Sequence, residues 1–171
     1  ATATTDILGG GNFIDIVWGD GQSTTGVTIR TTAIDAAAGG SIAEIGTMSG
    51  IVWTPGVTHS YPDNGTYRAY WTSGNRIANI ENMATGSKWR NETKVNIGGQ
   101  YAGNDSPVSA VPPIVKIQDN TTFKYQLVST DGDTLGYRWG TWNEFVDNTS
   151  STYSKPTGMT LESEGLITWN I

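Results

Sequence analysis

The chain has no cysteine, one histidine and three phenylalanines, and only 15% of its 171 residues are charged. Without cysteine there can be no disulfide-stapled scaffold, no thiolate metal site and no cysteine nucleophile. That does not assign a cytosolic home, since many bacterial secreted proteins also lack cysteine. Basic residues are scarce as well. Ten Lys and Arg against sixteen Asp and Glu leave a net charge of −6, with a pI of about 4.6. No basic stripe is available to neutralise phosphates, which argues against nucleic-acid binding. No apolar run approaches the ~18 residues that span a bilayer. No charged-then-apolar leader opens the chain, and any signal peptide is expected to have been removed.

What remains is a mixture rich in glycine (22), tryptophan (7), tyrosine (7) and threonine. It suits pleated sheets joined by tight turns and makes poor helix material. A chain of this length has room for one large core or two small ones. Ile14, Ile16 and Trp18 alternate along one face and run into Gly19-Asp20-Gly21, a strand followed by a positive-φ turn. Further strands are expected over 26–32, 42–53 (with a bulge), 76–80 and 88–97, and His59 to Trp71 reads as a turn feeding a strongly alternating strand. The only helix-like composition is at 33–40, too short for more than a turn. Near residue 100 the composition becomes that of a linker, Gly98 to Pro107, and Pro112-Pro113 extends it. Strands follow near 114–118, 122–130, 135–139, 158–162 and 166–170, with a polar loop at 140–156. Short strands broken by Gly, Pro, Asn and Asp predict an all-β chain of two tandem Ig-like β-sandwich modules, residues 1–105 and 106–171. Trp18, Trp53, Trp71 and Trp169 are expected to fill their cores.

Ile16-Val17-Trp18-Gly19-Asp20-Gly21, followed by His59-Ser60-Tyr61-Pro62-Asp63-Asn64-Gly65-Thr66-Tyr67, resembles the PKD-type (Ig-like) domain. That resemblance covers about residues 12–97. It implies a structural hydrogen bond for His59 and a core-facing Tyr67 braced by Tyr61. Thr130-Asp131-Gly132-Asp133-Thr134-Leu135, with Pro156-Thr157-Gly158-Met159 through Gly165-Leu166-Ile167-Thr168-Trp169, resembles the cadherin-like repeats of bacterial surface proteins. It covers about 106–170. Both resemblances imply extracellular spacer, adhesion or carbohydrate-associated modules, seldom catalytic in themselves.

Candidate sites follow from chemistry. A Ser-His-Asp relay would have to run through His59, which the first resemblance assigns to structure. Glycoside hydrolysis needs paired carboxylates; Glu81 with Glu92, or Glu162 with Glu164, could supply them, yet no aromatic cleft is implied around Glu162 and Glu164. No enzyme is expected. Calcium takes six to eight oxygen ligands. Asn104-Asp105-Ser106-Pro107 resembles the inter-repeat linker of cadherins, so Asn104, Asp105, Asp131 and Asp133 could converge on one ion at the module junction. The alternative is that Asp131 and Asp133 form a turn and Asn104 and Asp105 a solvated linker. Trp139 and Trp142 lead into a polar loop. They either stack on a sugar ring or anchor a protein partner, or one of them covers an open end of the core.

The expected function is non-catalytic: an extracellular or cell-surface structural or adhesive module whose partner is a protein or carbohydrate. Two alternatives stand beside it. One is a subunit that assembles with copies of itself by β-strand addition, through Thr2-Ala3-Thr4-Thr5 and the closing Leu166–Ile171. The other is a carbohydrate-binding appendage of a secreted hydrolase, through Trp139 and Trp142.

Overall fold

A computed structural model describes residues 13–35, 40–74, 88–104, 107–111, 117, 121–130, 132–145 and 154–170. The chain is all-β in architecture, with two antiparallel sheets consistent with an Ig-like β-sandwich. The first sheet has six strands: β1 (Phe13–Val17), β2 (Ser23–Asp35), β3 (Gly40–Ser49), β4 (Val52–Pro55), β5 (Gly65–Ser73) and β6 (Trp89–Ile97). Their order is β4-β3-β2-β1-β5-β6. β1 meets β5 only at Val17 and Tyr70, whereas β5 and β6 pair along their whole length. The sheet is therefore two ribbons joined at one pair, with β1 and β2 carrying the core.

The core follows from period-two alternation. Ile14 and Ile16 on β1 and Val27 on β2 are its buried residues. Trp18, Ile29, Val57 and Trp71 pack against them. Burying an aliphatic side chain of this kind stabilises the fold by roughly 1.5–3 kcal/mol. Register shifts between Ile14 and Ile16, and between Thr31 and Ala33, mark bulges that bend these strands.

Trp53 does not join this core. Ile45 pairs with Ile29, while Trp53 pairs with Met48 one position out of phase. Alternation then puts the indole on the opposite face. There it lies across Gly46, where an added Cβ would come 2.7 Å from Trp53 Cζ2, and under the Arg30 guanidinium at 4.6 Å from the ring centroid.

The second sheet has three strands in the order β7-β9-β8: β7 (Thr122–Gln126), β8 (Met159–Leu161) and β9 (Leu166–Asn170). One face gathers Phe123, Tyr125, Met159, Leu161, Ile167 and Trp169, all half-buried. Trp169 Nε1 donates to Thr157 O at 3.0 Å, and this tryptophan lies half-buried on the sheet face rather than filling a closed core. β9 is the central strand, and its neighbours use both of its edges. The closing strand therefore has no open edge for strand addition; Thr2–Thr5 and Ile171 lie outside the described residues.

Several expected elements shift. Ala33 to Asp35 end β2 and Gly40 opens β3, so tertiary pairing overrides their helix-like composition. The run 42–53 is a hairpin rather than one bulged strand, because Gly50 at φ +60 reverses it between Ser49 and Val52. Residues 135–139 are not a strand, although Tyr137 N–H donates to Ser163 O at 2.9 Å. The polar loop contains a helical turn, α1 (Trp142–Phe145), which lies against β6. The expected strand at 76–80 lies outside the described residues, as does most of 114–118. No helix among the described residues is long and apolar enough to cross a membrane.

Candidate functional site

The best-built polar cluster grows from the turn after β1. Gly19 and Gly21 have φ of +86 and +90, a conformation that side chains rarely adopt. A Cβ on Gly19 would sit 2.6 Å from Arg68 O and 2.7 Å from Arg68 N, so only glycine lets the turn rest on β5. Trp18 N–H donates to Gln22 O at 3.0 Å. Gln22 N–H donates to Asp20 Oδ1 at 2.9 Å, the side-chain turn typical of aspartate.

The segment before β5 then closes over this turn. His59 stacks on Trp18, with centroids 4.7 Å apart and planes 7° apart. Its Nε2 lies 2.7 Å from Asp20 Oδ2, with only 11% of the His59 side chain and 2% of Asp20's exposed. Tyr61 meets the imidazole edge-on at 4.7 Å, stacks on Tyr67 at 4.2 Å and donates its hydroxyl to Trp18 O at 3.2 Å. Tyr67 Oη donates to Asp63 O at 2.9 Å, and Trp18 Nε1 donates to Thr24 Oγ1 at 2.9 Å. The rings form a zip whose members each close a hydrogen bond at their polar edge. Tyr67 extends this zip on the core-facing side of β5 but is only half-buried, so it is not among the buried core residues.

The electrostatics match the geometry. Burial pushes the Asp20 carboxyl up. The Gln22 backbone N–H, the His59 hydrogen bond and the His59 charge outweigh it and hold the carboxyl below the ordinary aspartate value. Burial, the Asp20 charge and Tyr67 raise the Tyr61 phenol. A histidine and a carboxylate are two members of a hydrolytic relay. Here the imidazole is clamped between Trp18 and Tyr61, and the pair ties the β1–β2 turn to the 57–64 segment.

This cluster and its sheet are the part of the chain that matches a known family. A family model described as "Integrin beta-like protein A-E, N-terminal" matches residues 2–98. The chain belongs to this family. The matched span closes one residue after β6, so β1 to β6 and the Trp18–His59–Tyr61–Tyr67 zip all lie inside the integrin beta-like region. The match is to this family and not to the PKD-type or cadherin-like ones. No curated protein and no solved structure matches the chain.

Outside the zip, the integrin beta-like region carries a second polar group. Glu92 on β6 pairs with Arg68 and lies 2.5 Å from Arg90 Nη2. Arg90 in turn covers the Tyr70 ring. Glu92 is thus engaged by two guanidiniums, and Glu81 lies outside the described residues. Glu162 and Glu164 are exposed around the β8–β9 turn.

Of the four expected calcium ligands, Asn104 and Asp133 are described and both are exposed. Asn104 N–H donates to Tyr101 O at 3.1 Å, closing the 3-10 turn Gly99–Tyr101. Asp105 and Asp131 lie outside the described residues. Among the described residues, no three His, Asp or Glu side chains gather as a metal site. Trp139 is half-buried, with Lys155 Nζ 6.0 Å from its ring centroid. Trp142 opens α1, and its side chain lies outside what is described.

Sequence reading missed two features. Arg138 grips Glu144 with both nitrogens, Nη1 to Oε2 at 2.8 Å and Nη2 to Oε1 at 2.6 Å. Thr141 N–H donates to Glu144 Oε2 at 2.7 Å. The arginine and this N–H hold the Glu144 carboxyl well below the usual range. Thr141-Trp142-Asn143-Glu144 has the Thr-x-x-Glu spacing of a capping box, and that signal could have found the turn. The second feature is the choice of Asp20 as His59's partner, which no spacing along the chain encodes.

Proposed function

We propose that this chain is a non-catalytic structural or adhesive module of a cell-surface or secreted protein. The observation that carries this reading is the family match across residues 2–98, whose description names integrin beta-like proteins. The site chemistry supports it: the chain's one histidine is spent on clamping a turn through Trp18, Asp20 and Tyr61. A zip of rings and hydrogen bonds gives a stiff module, as a spacer or adhesive unit requires. The motif-level resemblances to PKD-type and cadherin-like modules agree with an extracellular role. The partner is a protein or carbohydrate at a cell surface.

Two measurements test the reading. Antibody against the chain should label intact cells of the source organism; labelling only after permeabilisation overturns the location. Beads coated with the chain should adhere to cells or glycans more than beads bearing the unfolded chain. Equal capture by both removes the adhesive role.

A further inference from the structure

The described sheets expose four edges, and they are not alike. β6 carries Arg90, Glu92 and Lys94, and β7 carries Lys124. Charge of this kind guards an edge against pairing with another chain. β8 is three residues long and runs straight into Glu162. β4 has no such guard. From Ile45 to Thr58 there is no charged residue, in a chain with ten basic and sixteen acidic ones. Its apolar side chains are open: Ile51 is 97% exposed, Val52 61% and Met48 48%.

The register says which backbone groups face outward. Ser49 pairs with Val52 and Thr47 with Thr54, and Gly56 N–H donates to Ile45 O at 2.8 Å. In an antiparallel ladder the hydrogen-bonded pairs alternate. Val52, Thr54 and Gly56 therefore turn their backbone groups toward β3, and Trp53 turns its N–H and C=O to the open side. Pro55 closes that side at one end, since it has no N–H.

We propose that β4 is the edge through which two copies of this chain join, antiparallel and two-fold, centred on Trp53. In that register Trp53 exchanges both backbone hydrogen bonds with its counterpart. Val52 stands opposite Thr54 of the other copy, and Ile51 comes against the other copy's Pro55, so the missing N–H falls beyond the central pair. The edge carries no charge of its own, and the Arg30 beside Trp53 is paired with Glu44, so two chains of net charge −6 can approach there where repulsion is least. The contact is isologous and closes at two copies. A four-residue edge covers less than the ~1,200 Å² of a stable complex, so the dimer is weak. Copies crowded on one surface would raise the effective concentration toward ~mM. Only that last consequence rests on the surface-module reading; the pairing does not.

Sedimentation equilibrium on the full chain, from ~10 μM to ~1 mM, tests the proposal. A monomer–dimer equilibrium is expected, weakened about ten-fold or more by Ile51→Lys and unchanged by Ile34→Lys, another exposed position. Ile51→Lys should melt with the parent, because the side chain it replaces is already in water. A register test uses the absence of native cysteine. Val52 and the other copy's Thr54 form a non-hydrogen-bonded pair with Cα atoms ~4.5 Å apart, within disulfide reach. Mixing Val52→Cys with Thr54→Cys chains should give the mixed disulfide under mild oxidation, in excess over either variant alone. Monomer throughout, a dimer indifferent to Ile51→Lys, open-ended assemblies, or cross-linking that does not favour the mixture would each overturn the proposal.

Discussion

The six-stranded and three-stranded sheets use the same backbone pattern but hold themselves differently. The first buries Ile14, Ile16 and Val27 outright, with Val27 only 1% exposed. Indoles pack against them, and the Trp18–His59–Tyr61–Tyr67 zip locks the end of the sheet. In the second, the described apolar side chains are all half-buried, and Gly165 is the one buried residue. It relies on ladder hydrogen bonds and local ties such as Thr122 Oγ1 to Asn170 Oδ1 and Trp169 Nε1 to Thr157 O. A six-stranded sheet has interior positions covered on both sides; a three-stranded one of short strands has almost none. The lesson is that alternation places side chains on a face, and the number of strands decides whether that face becomes a core.

Core truncation should separate the two sheets most sharply. Ile16→Ala is expected to cost about 2–5 kcal/mol, and Leu161→Ala less than half of that. Denaturant unfolding followed by tryptophan fluorescence measures both, and equal losses would erase the distinction. Glycine substitutions come next. Gly19→Ala drives a Cβ into the Arg68 backbone, whereas Gly165→Ala, at φ +90, meets the Tyr137 ring at 2.8 Å. A ring can rotate away and a backbone cannot. Both changes pay ~1–2 kcal/mol for the left-handed conformation, and Gly19→Ala should cost distinctly more in the same assay.

Acid provides a smaller contrast. Asp20 is held below its ordinary value of 3.8 in the fold. Its contribution is therefore complete above that value and is lost as pH falls through the folded pKa. Between about pH 4 and pH 2, wild type should lose more stability than Asp20→Asn. Glu144, lowered by Arg138, has the same sign, and Glu144→Gln should flatten the acid limb likewise. Parallel curves for wild type and Asp20→Asn would show that the His59 contact is indifferent to the charge.

The smallest expected effect is that of calcium. Thermal melts in EDTA and in millimolar Ca²⁺ are expected to superimpose. A calcium-dependent rise abolished by Asp131→Asn with Asp133→Asn would instead place an ion where the sheets' sequences adjoin.

The strands over 13–17, 89–97, 159–161 and 166–170 were legible because alternation and flanking Gly, Asn and Pro are local signals. The hairpin at Gly50 and the strand ends at Ala33 to Asp35 were not. There, pairing between β2 and β3 overrides weak local preference. At the candidate site, the motifs Gly19-Asp20-Gly21 and His59-Ser60-Tyr61 marked where to look, and a structural hydrogen bond for His59 was expected. Its partner and the ring stacking depend on two segments 39 positions apart, a relation no local pattern carries. Trp53 shows the same limit: being in a strand was readable, but its face depended on the phase of pairing with Met48.

The sequence by itself determined the class of this protein. Its Thr, Trp, Tyr and Gly content and its period-two runs permit sheets and little else. Absent cysteine and scarce basic residues remove whole families of chemistry, because composition fixes what bonds and charges exist at all. Tertiary structure alone decided which of those residues meet. Strand order and register chose the core face, set Asp20 against His59, left Trp53 on the face opposite the core, and made β4, among the described residues, a sheet edge with no charged residue of its own. Those outcomes depend on long-range pairing, in which a shift of one residue reverses every face.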